Sequence, residues 1–110
     1  MSWAMDALEA RARRQLDSLH TLNESLQGIR ESETSPDGEV TAVVDGVGAL
    51  VDLHLSERIS RLSGTDLASL VVATSHVACQ RAFARRAAIL HEFNDEFSTL
   101  VSPDQDASPS

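Results

Sequence analysis

A chain of 110 residues that is 42% hydrophobic and 24% charged has the length of one domain and the make-up of a globular protein, neither collagen-like nor disordered. Nine arginines and no lysine stand against 17 acidic residues, a net charge of −8, which opposes nonspecific attraction of the whole molecule to DNA or anionic lipid. No apolar run approaches the roughly 18 to 20 residues of a membrane span, and the single cysteine, Cys79, excludes an intramolecular disulfide and a multi-cysteine zinc site.

The opening residues Met1 to Asp6 have neither the basic region nor the apolar core of a secretory signal, so a cytoplasmic protein without membrane contact is expected. From residue 3 to about 29, Met5, Leu8, Ala12, Leu19, Leu22, Leu26 and Ile29 recur at three- and four-residue steps broken only at Gln15. That rhythm predicts a helix with a heptad seam, with Ser2 placed as its N-cap. Some 25 residues rising about 1.5 Å each reach ~38 Å, longer than a domain of this size needs for its own core. The excess length predicts a homodimer.

After Gly28 the period changes. A polar stretch from Arg30 leads to Pro36-Asp37-Gly38, a turn signal in which proline presets φ and glycine tolerates a positive one. Val40, Ala42 and Val44 alternate with Thr41, Val43 and Asp45, which predicts a strand with one buried face. Asp45-Gly46 signals a hairpin into a second strand, where Ala49, Val51, Leu53 and Leu55 alternate with Leu50, Asp52 and His54. Residues 29–35 are a candidate third strand, read as an exposed edge. Glu57 to Leu62 reads as a connector, and Ser63-Gly64-Thr65-Asp66 has the spacing of a capping box. From Asp66 to about Phe97 there is neither glycine nor proline, which predicts a second long helix. One of its stripes runs Leu67, Val71, Thr74, Ala78, Ala82, Ile89, Phe93 and Leu100, and a neighbouring one His76, Phe83, Leu90 and Phe97. The fold expected is α+β, a small antiparallel sheet of two or three strands between two long helices. It occupies residues 1–100 as a single domain, with 101–110 a disordered acidic tail.

Chemistry-bearing residues are sparse. Gly46-Val47-Gly48 lacks the third glycine of a nucleotide-binding turn and joins strands instead of opening a helix. His76 and Cys79 are spaced for one metal, but two ligands do not complete a site, and His20, His54 and His91 fall in other elements. Glu31, Glu33, Asp37 and Glu39 around the first turn, and Glu92, Asp95 and Glu96 late in the second helix, read as solvated charge. No catalytic set, cofactor site or metal site is therefore assigned, and the chain is read as non-enzymatic.

The arginines are more informative. Arg11, Arg13 and Arg14 cluster in the first helix and Arg81, Arg85 and Arg86 in the second, whereas residues 31–64 hold two arginines against seven acids. Gathered by dimerisation, the six form a candidate phosphate-binding surface; the competing reading pairs them with Glu9, Asp17 or Glu92 on neighbouring turns. No module for reading bases is present, so weak sequence preference is expected. Leu19, Leu22, Leu26, Phe83, Leu90, Phe93 and Phe97 are the residues expected at the dimer interface.

The run from Ser35 to Gly48, Ser-Pro-Asp-Gly-Glu-Val-Thr-Ala-Val-Val-Asp-Gly-Val-Gly, followed by Leu50-Val51-Asp52-Leu53-His54-Leu55 and a long helix, resembles the YbaB/EbfC family of nucleoid-associated proteins over nearly the whole chain. The resemblance implies a homodimer in which small sheets join two long helix pairs, and nonspecific DNA binding at the nucleoid. Acidic relatives beside specialised secretion systems imply an alternative: a protein-interaction scaffold or chaperone-like accessory with a protein partner and no DNA.

Overall fold

The computed structural model describes residues 2–101. In chain order they form helix α1 (Trp3–Gln27), strands β1 (Arg30–Thr34), β2 (Val40–Asp45) and β3 (Leu50–Leu55), a short 3₁₀ turn (Glu57–Arg61) and helix α2 (Gly64–Val101). The strands make one antiparallel sheet in the order β1-β2-β3, so the expected α-β-β-β-α order is present, with the polar segment after Gly28 as a full third strand. Of the expected acidic tail, residues 101–110, Val101 ends helix α2 and residues 102–110 lie outside the described residues. The chain divides into two compact units, residues 26–87 and the two chain ends, up to 25 and from 88.

In the unit formed by the chain ends, Ser2 opens α1, its Oγ accepting from the Met5 amide at 3.1 Å. No residue of α1 is buried; along the expected seam Leu22 is half-buried, as is Leu26 at the start of the other unit, while Met5, Leu8 and Leu19 stay exposed. On α2 the rings of Phe93 and Phe97 stack with centroids 5.1 Å apart. Helix α1 stops at Gln27, two residues before its expected end. The Arg30 guanidinium donates to the carbonyls of Gln27 and Ile29, satisfying groups that the helix leaves open. Ile29 therefore does not continue the seam. It is buried in the other unit, against Gly46, where an added Cβ would come within 2.9 Å of the Leu26 carbonyl oxygen and 3.1 Å of the Ile29 side chain.

The sheet unit is built on two side-chain-locked turns. Between β1 and β2, Gly38 donates to the Ser35 carbonyl at 2.9 Å and takes a positive φ of 76°. The buried Ser35 Oγ accepts from the amides of Glu39 and Val40, both at 3.1 Å, and donates to Glu39 Oε1 at 2.7 Å. That hydroxyl, then the Glu39 amide, holds the Glu39 carboxyl below the ordinary glutamate value by hydrogen-bonding its charged form. Between β2 and β3, Asp45 Oδ1 accepts from Val47 and Ala49. The positive φ falls on Gly48, at 82°, so the hairpin is longer than the Asp-Gly signal implies.

The inward face of β2 is as read from its alternation: Val40, Ala42 and Val44 are fully buried. Helix α2 covers this face, because Glu33, which pairs in register with Ala42, carries an ion pair to Arg81, and Cys79 Sγ donates to the Gly48 carbonyl at 3.3 Å. The helix contributes small residues to the core, with Thr74, Ala78 and Ala82 buried. Each buried valine or isoleucine contributes about 1.5–3 kcal/mol of transfer free energy. Strand β3 departs from expectation. The register shifts at Val43/Val44 so that Leu50 opposes Val44 and Asp52 opposes Val43, leaving Val51 as a bulge residue. Every β3 residue is exposed, although Leu53 and Leu55 oppose Ala42 and Val40 and so share their face.

Replacing Ser35 with Ala removes a buried acceptor for two amides and is expected to cost about 1–3 kcal/mol in urea unfolding. The acid limb should change as well. Because the folded-state value of Glu39 is depressed, its contribution is full above the ordinary value of 4.5 and is lost as pH falls through the depressed value. Glu39→Gln should flatten that part of the stability–pH curve.

Candidate nucleic-acid interface

Helical spacing places Arg11 and Arg14 one turn apart, with Arg13 turned to a neighbouring direction. Arg11 is half-buried, and Arg13 and Arg14 are exposed. Arg14 borders an open cleft between α1 and the end of α2, which Asp17, Leu22, Glu92, Phe93 and Glu96 also line. Three carboxylates line the same cleft, none of them paired with Arg14 among the described residues, and Glu92 and Glu96 lie beyond the arginine-bearing length of α2.

In the sheet unit Arg81 and Arg85 are one turn apart on α2; both are exposed, and Arg86 is half-buried. Arg81 is bound through Nη2 to Glu33 Oε1 on β1. Its partner is therefore neither Glu9, Asp17 nor Glu92, and it lies 48 residues away in sequence, beyond the reach of any helix-spacing rule. Among the described residues, Arg13, Arg14, Arg85 and Arg86 have no hydrogen bond or ion pair. Two of the three arginines outside the clusters are used structurally, Arg30 at the end of α1 and Arg58, whose Nη1 donates to the Asp37 carbonyl at 2.8 Å; among the described residues Arg61, in the 3₁₀ turn, has no hydrogen bond or ion pair. A further signal for the α2 cluster is visible in the sequence: residues 67–91 contain three arginines and no acidic residue. That leaves a positive length of helix inside an acidic chain.

The other chemistry-bearing groups do not converge. Among the described residues no three His, Cys, Asp or Glu side chains come together as a metal site. Cys79 is half-buried against Gly48, where an added Cβ would also come within 2.8 Å of the Phe83 ring. His76 is exposed. His54 and His91 each lie 3.6 Å from an aspartate of their own element, Asp52 and Asp95. No helix among the described residues is long and apolar enough to cross a membrane.

The pattern that defines the YbaB/EbfC DNA-binding family matches residues 1–97. No curated protein matches the chain by sequence. Among solved structures, the chain is similar to the crystal structure of the uncharacterized protein HP0035 from Helicobacter pylori. The TM-score is 0.60 at 15% identity, over 84% of this chain and 96% of that one. At that identity the likeness speaks for the fold.

The Arg81–Glu33 pair is part-exposed, with side-chain exposures of 46% and 32%, so it is screened by solvent and worth about 1 kcal/mol or less. Arg81→Ala and Glu33→Ala should each lower unfolding free energy by no more than that, and the double variant should lose little beyond either single one, as a double-mutant cycle in urea will show.

Proposed function

From the membership of this chain in the YbaB/EbfC DNA-binding family, we infer that it is a nucleoid-associated DNA-binding homodimer of the cytoplasm that contacts phosphates through arginine and has weak sequence preference. The family is one of DNA binding and not of catalysis. The observation that carries the reading is that four guanidiniums of the two helix clusters, Arg13, Arg14, Arg85 and Arg86, are without a partner among the described residues, the last two on an acid-free length of α2. An arginine without a carboxylate partner keeps its charge and its planar fork available to a phosphate. Arg11 and Arg81 complete the proposed contact set, with Arg81 exchanging Glu33 for a phosphate when DNA is bound.

Local charge matters more than net charge here. Phosphates are met within a Debye length, about 8–10 Å at physiological salt, and acids farther off are screened. A net −8 chain therefore binds only through its local clusters, with a salt dependence set by the number of phosphates they contact. Nothing in the arginine set reads base edges, so the contacts position the duplex without selecting a sequence.

Dimerisation is supported by the size of the core. Among the described residues the buried apolar side chains are Ile29, Val40, Ala42, Val44, Ala78 and Ala82, half of them alanine. Meanwhile Leu19, Phe83 and Leu90 are exposed and Leu22, Leu26, Phe93 and Phe97 half-covered. These seven form the helix part of the proposed interface.

Fluorescence polarisation with a labelled duplex is expected to show binding at low salt. The log–log slope against salt should be about −0.9 per phosphate contacted, and a scrambled duplex should bind about as well. The variant with Arg13, Arg14, Arg85 and Arg86 all changed to Ala should lose most of the affinity and most of the slope. Absence of binding at low salt, or unchanged binding by that variant, contradicts the reading.

A further inference from the structure

Arg81 differs from the other arginines of α2 in what it already holds. Its guanidinium binds Glu33 Oε1 through Nη2, and the sheet, not the helix, brings that carboxylate to it. Glu33 stands opposite Ala42 and Glu31 opposite Val44 in the register of β1 and β2. Cross-strand partners share a face, and Ala42 and Val44 are buried on the face that α2 covers. Both glutamates of β1 therefore lie on the helix side of the sheet and are half-buried, whereas Arg30, Ser32 and Thr34 of the same strand are exposed. The following turn fixes this phase. The Ser35 amide donates to the Val40 carbonyl at 2.8 Å, and the Ser35 hydroxyl accepts from the amides of Glu39 and Val40. A slip of one residue would break these bonds and turn both glutamates to the opposite face.

Arg85 lies one turn beyond Arg81, with Arg86 next to it in sequence, and among the described residues neither has a hydrogen bond or ion pair. A phosphate arriving at this length of α2 thus meets two open guanidiniums and one that is occupied. The occupied one stays within reach, because the Arg81 side chain keeps 46% of its surface exposed and that of Glu33 32%. Carboxylate and phosphate oxygens offer a guanidinium the same acceptor chemistry. They compete for Arg81, and a phosphate gains there only the difference between the two contacts. The displaced Glu33 then remains beside the phosphate as a like charge, well inside the roughly 8 Å over which charges act at physiological salt.

We propose that Glu33 is an internal stand-in for phosphate: it occupies Arg81 in the free protein, must be displaced when a duplex binds, and thereby lowers the affinity of the α2 cluster for DNA. This rests on the reading of the chain as a DNA-binding protein and adds to it the residue that restrains binding. A pair so exposed is weak enough for a duplex to break. The sign separates this role from a structural one. Loss of a contact that merely supports the fold weakens binding or leaves it unchanged; loss of a competitor strengthens it. Glu31 supplies the control, since it carries the same charge on the same face of β1 and holds no arginine among the described residues.

Fluorescence polarisation with a labelled duplex at low salt tests the competition on the full chain, with urea unfolding of each variant to show that it folds. Glu33→Gln keeps the size of the side chain and removes its charge; it should tighten binding about two- to fivefold, the range that an exposed ion pair commands. Glu31→Gln should tighten it less. With Arg81 already changed to Ala, Glu33→Gln should gain no more than Glu31→Gln does, so that the two sites are coupled in a double-mutant cycle on binding. Binding by the Glu33→Gln chain where the unaltered chain shows none would support the restraint as well. Unchanged or weaker binding by Glu33→Gln, or equal gains with and without Arg81, overturns the competition while leaving DNA binding standing. Absence of binding by every one of these chains overturns the DNA reading and this inference together.

Discussion

The covering of the sheet by α2 is the constraint from which the rest follows. Thr74, Ala78 and Ala82 of α2 are small and buried, as are Val40, Ala42 and Val44 of β2. Among the described residues a buried apolar core of one isoleucine, two valines and three alanines makes a narrow layer. The contact also positions what lies beside it: Cys79 on the Gly48 carbonyl and Arg81 on Glu33. The Ser35 and Asp45 turns set the ends of β2 and so fix which of its residues face the helix.

A layer so narrow leaves much apolar side chain uncovered. Leucines on β3, the Phe83 and Leu90 stripe of α2, and Leu19 on α1 are exposed in the single chain. In a monomeric domain such surface invites aggregation; in the proposed dimer it is the interface. The same economy applies to charge. Arg30 and Arg58 are committed to backbone carbonyls and Arg81 to a carboxylate, while among the described residues Arg13, Arg14, Arg85 and Arg86 of the two helix clusters have no hydrogen bond or ion pair. The acidic residues keep the protein soluble without sitting inside the 67–91 stretch of α2.

The order of elements was legible because its signals are local. Ser2 and Ser63 cap helices, Pro36-Asp37-Gly38 makes the turn its composition implies, and the β2 alternation reports a face that is truly buried. The failures were non-local. Ile29 fits the α1 rhythm, yet it leaves the helix because Arg30 closes the end and Gly46 leaves room for it. The alternation of β3 reads as half-buried, but the bulge at Val51 and the reach of α2 decide exposure, and neither is encoded in a period of two. The partner of Arg81 lies on β1, where a helix-based search does not look. For the interface itself, the arginine clusters were visible as clusters; which guanidiniums remain unpaired depends on tertiary contacts.

The central claim is that two copies complete one another before either meets DNA. The unfolding midpoint in urea, measured from about 1 to 100 μM protein, tests it most directly, because a fold coupled to association gains stability with concentration. The account predicts a midpoint that climbs steadily over that range. A midpoint independent of concentration, with a sedimentation mass of a single chain, would contradict it.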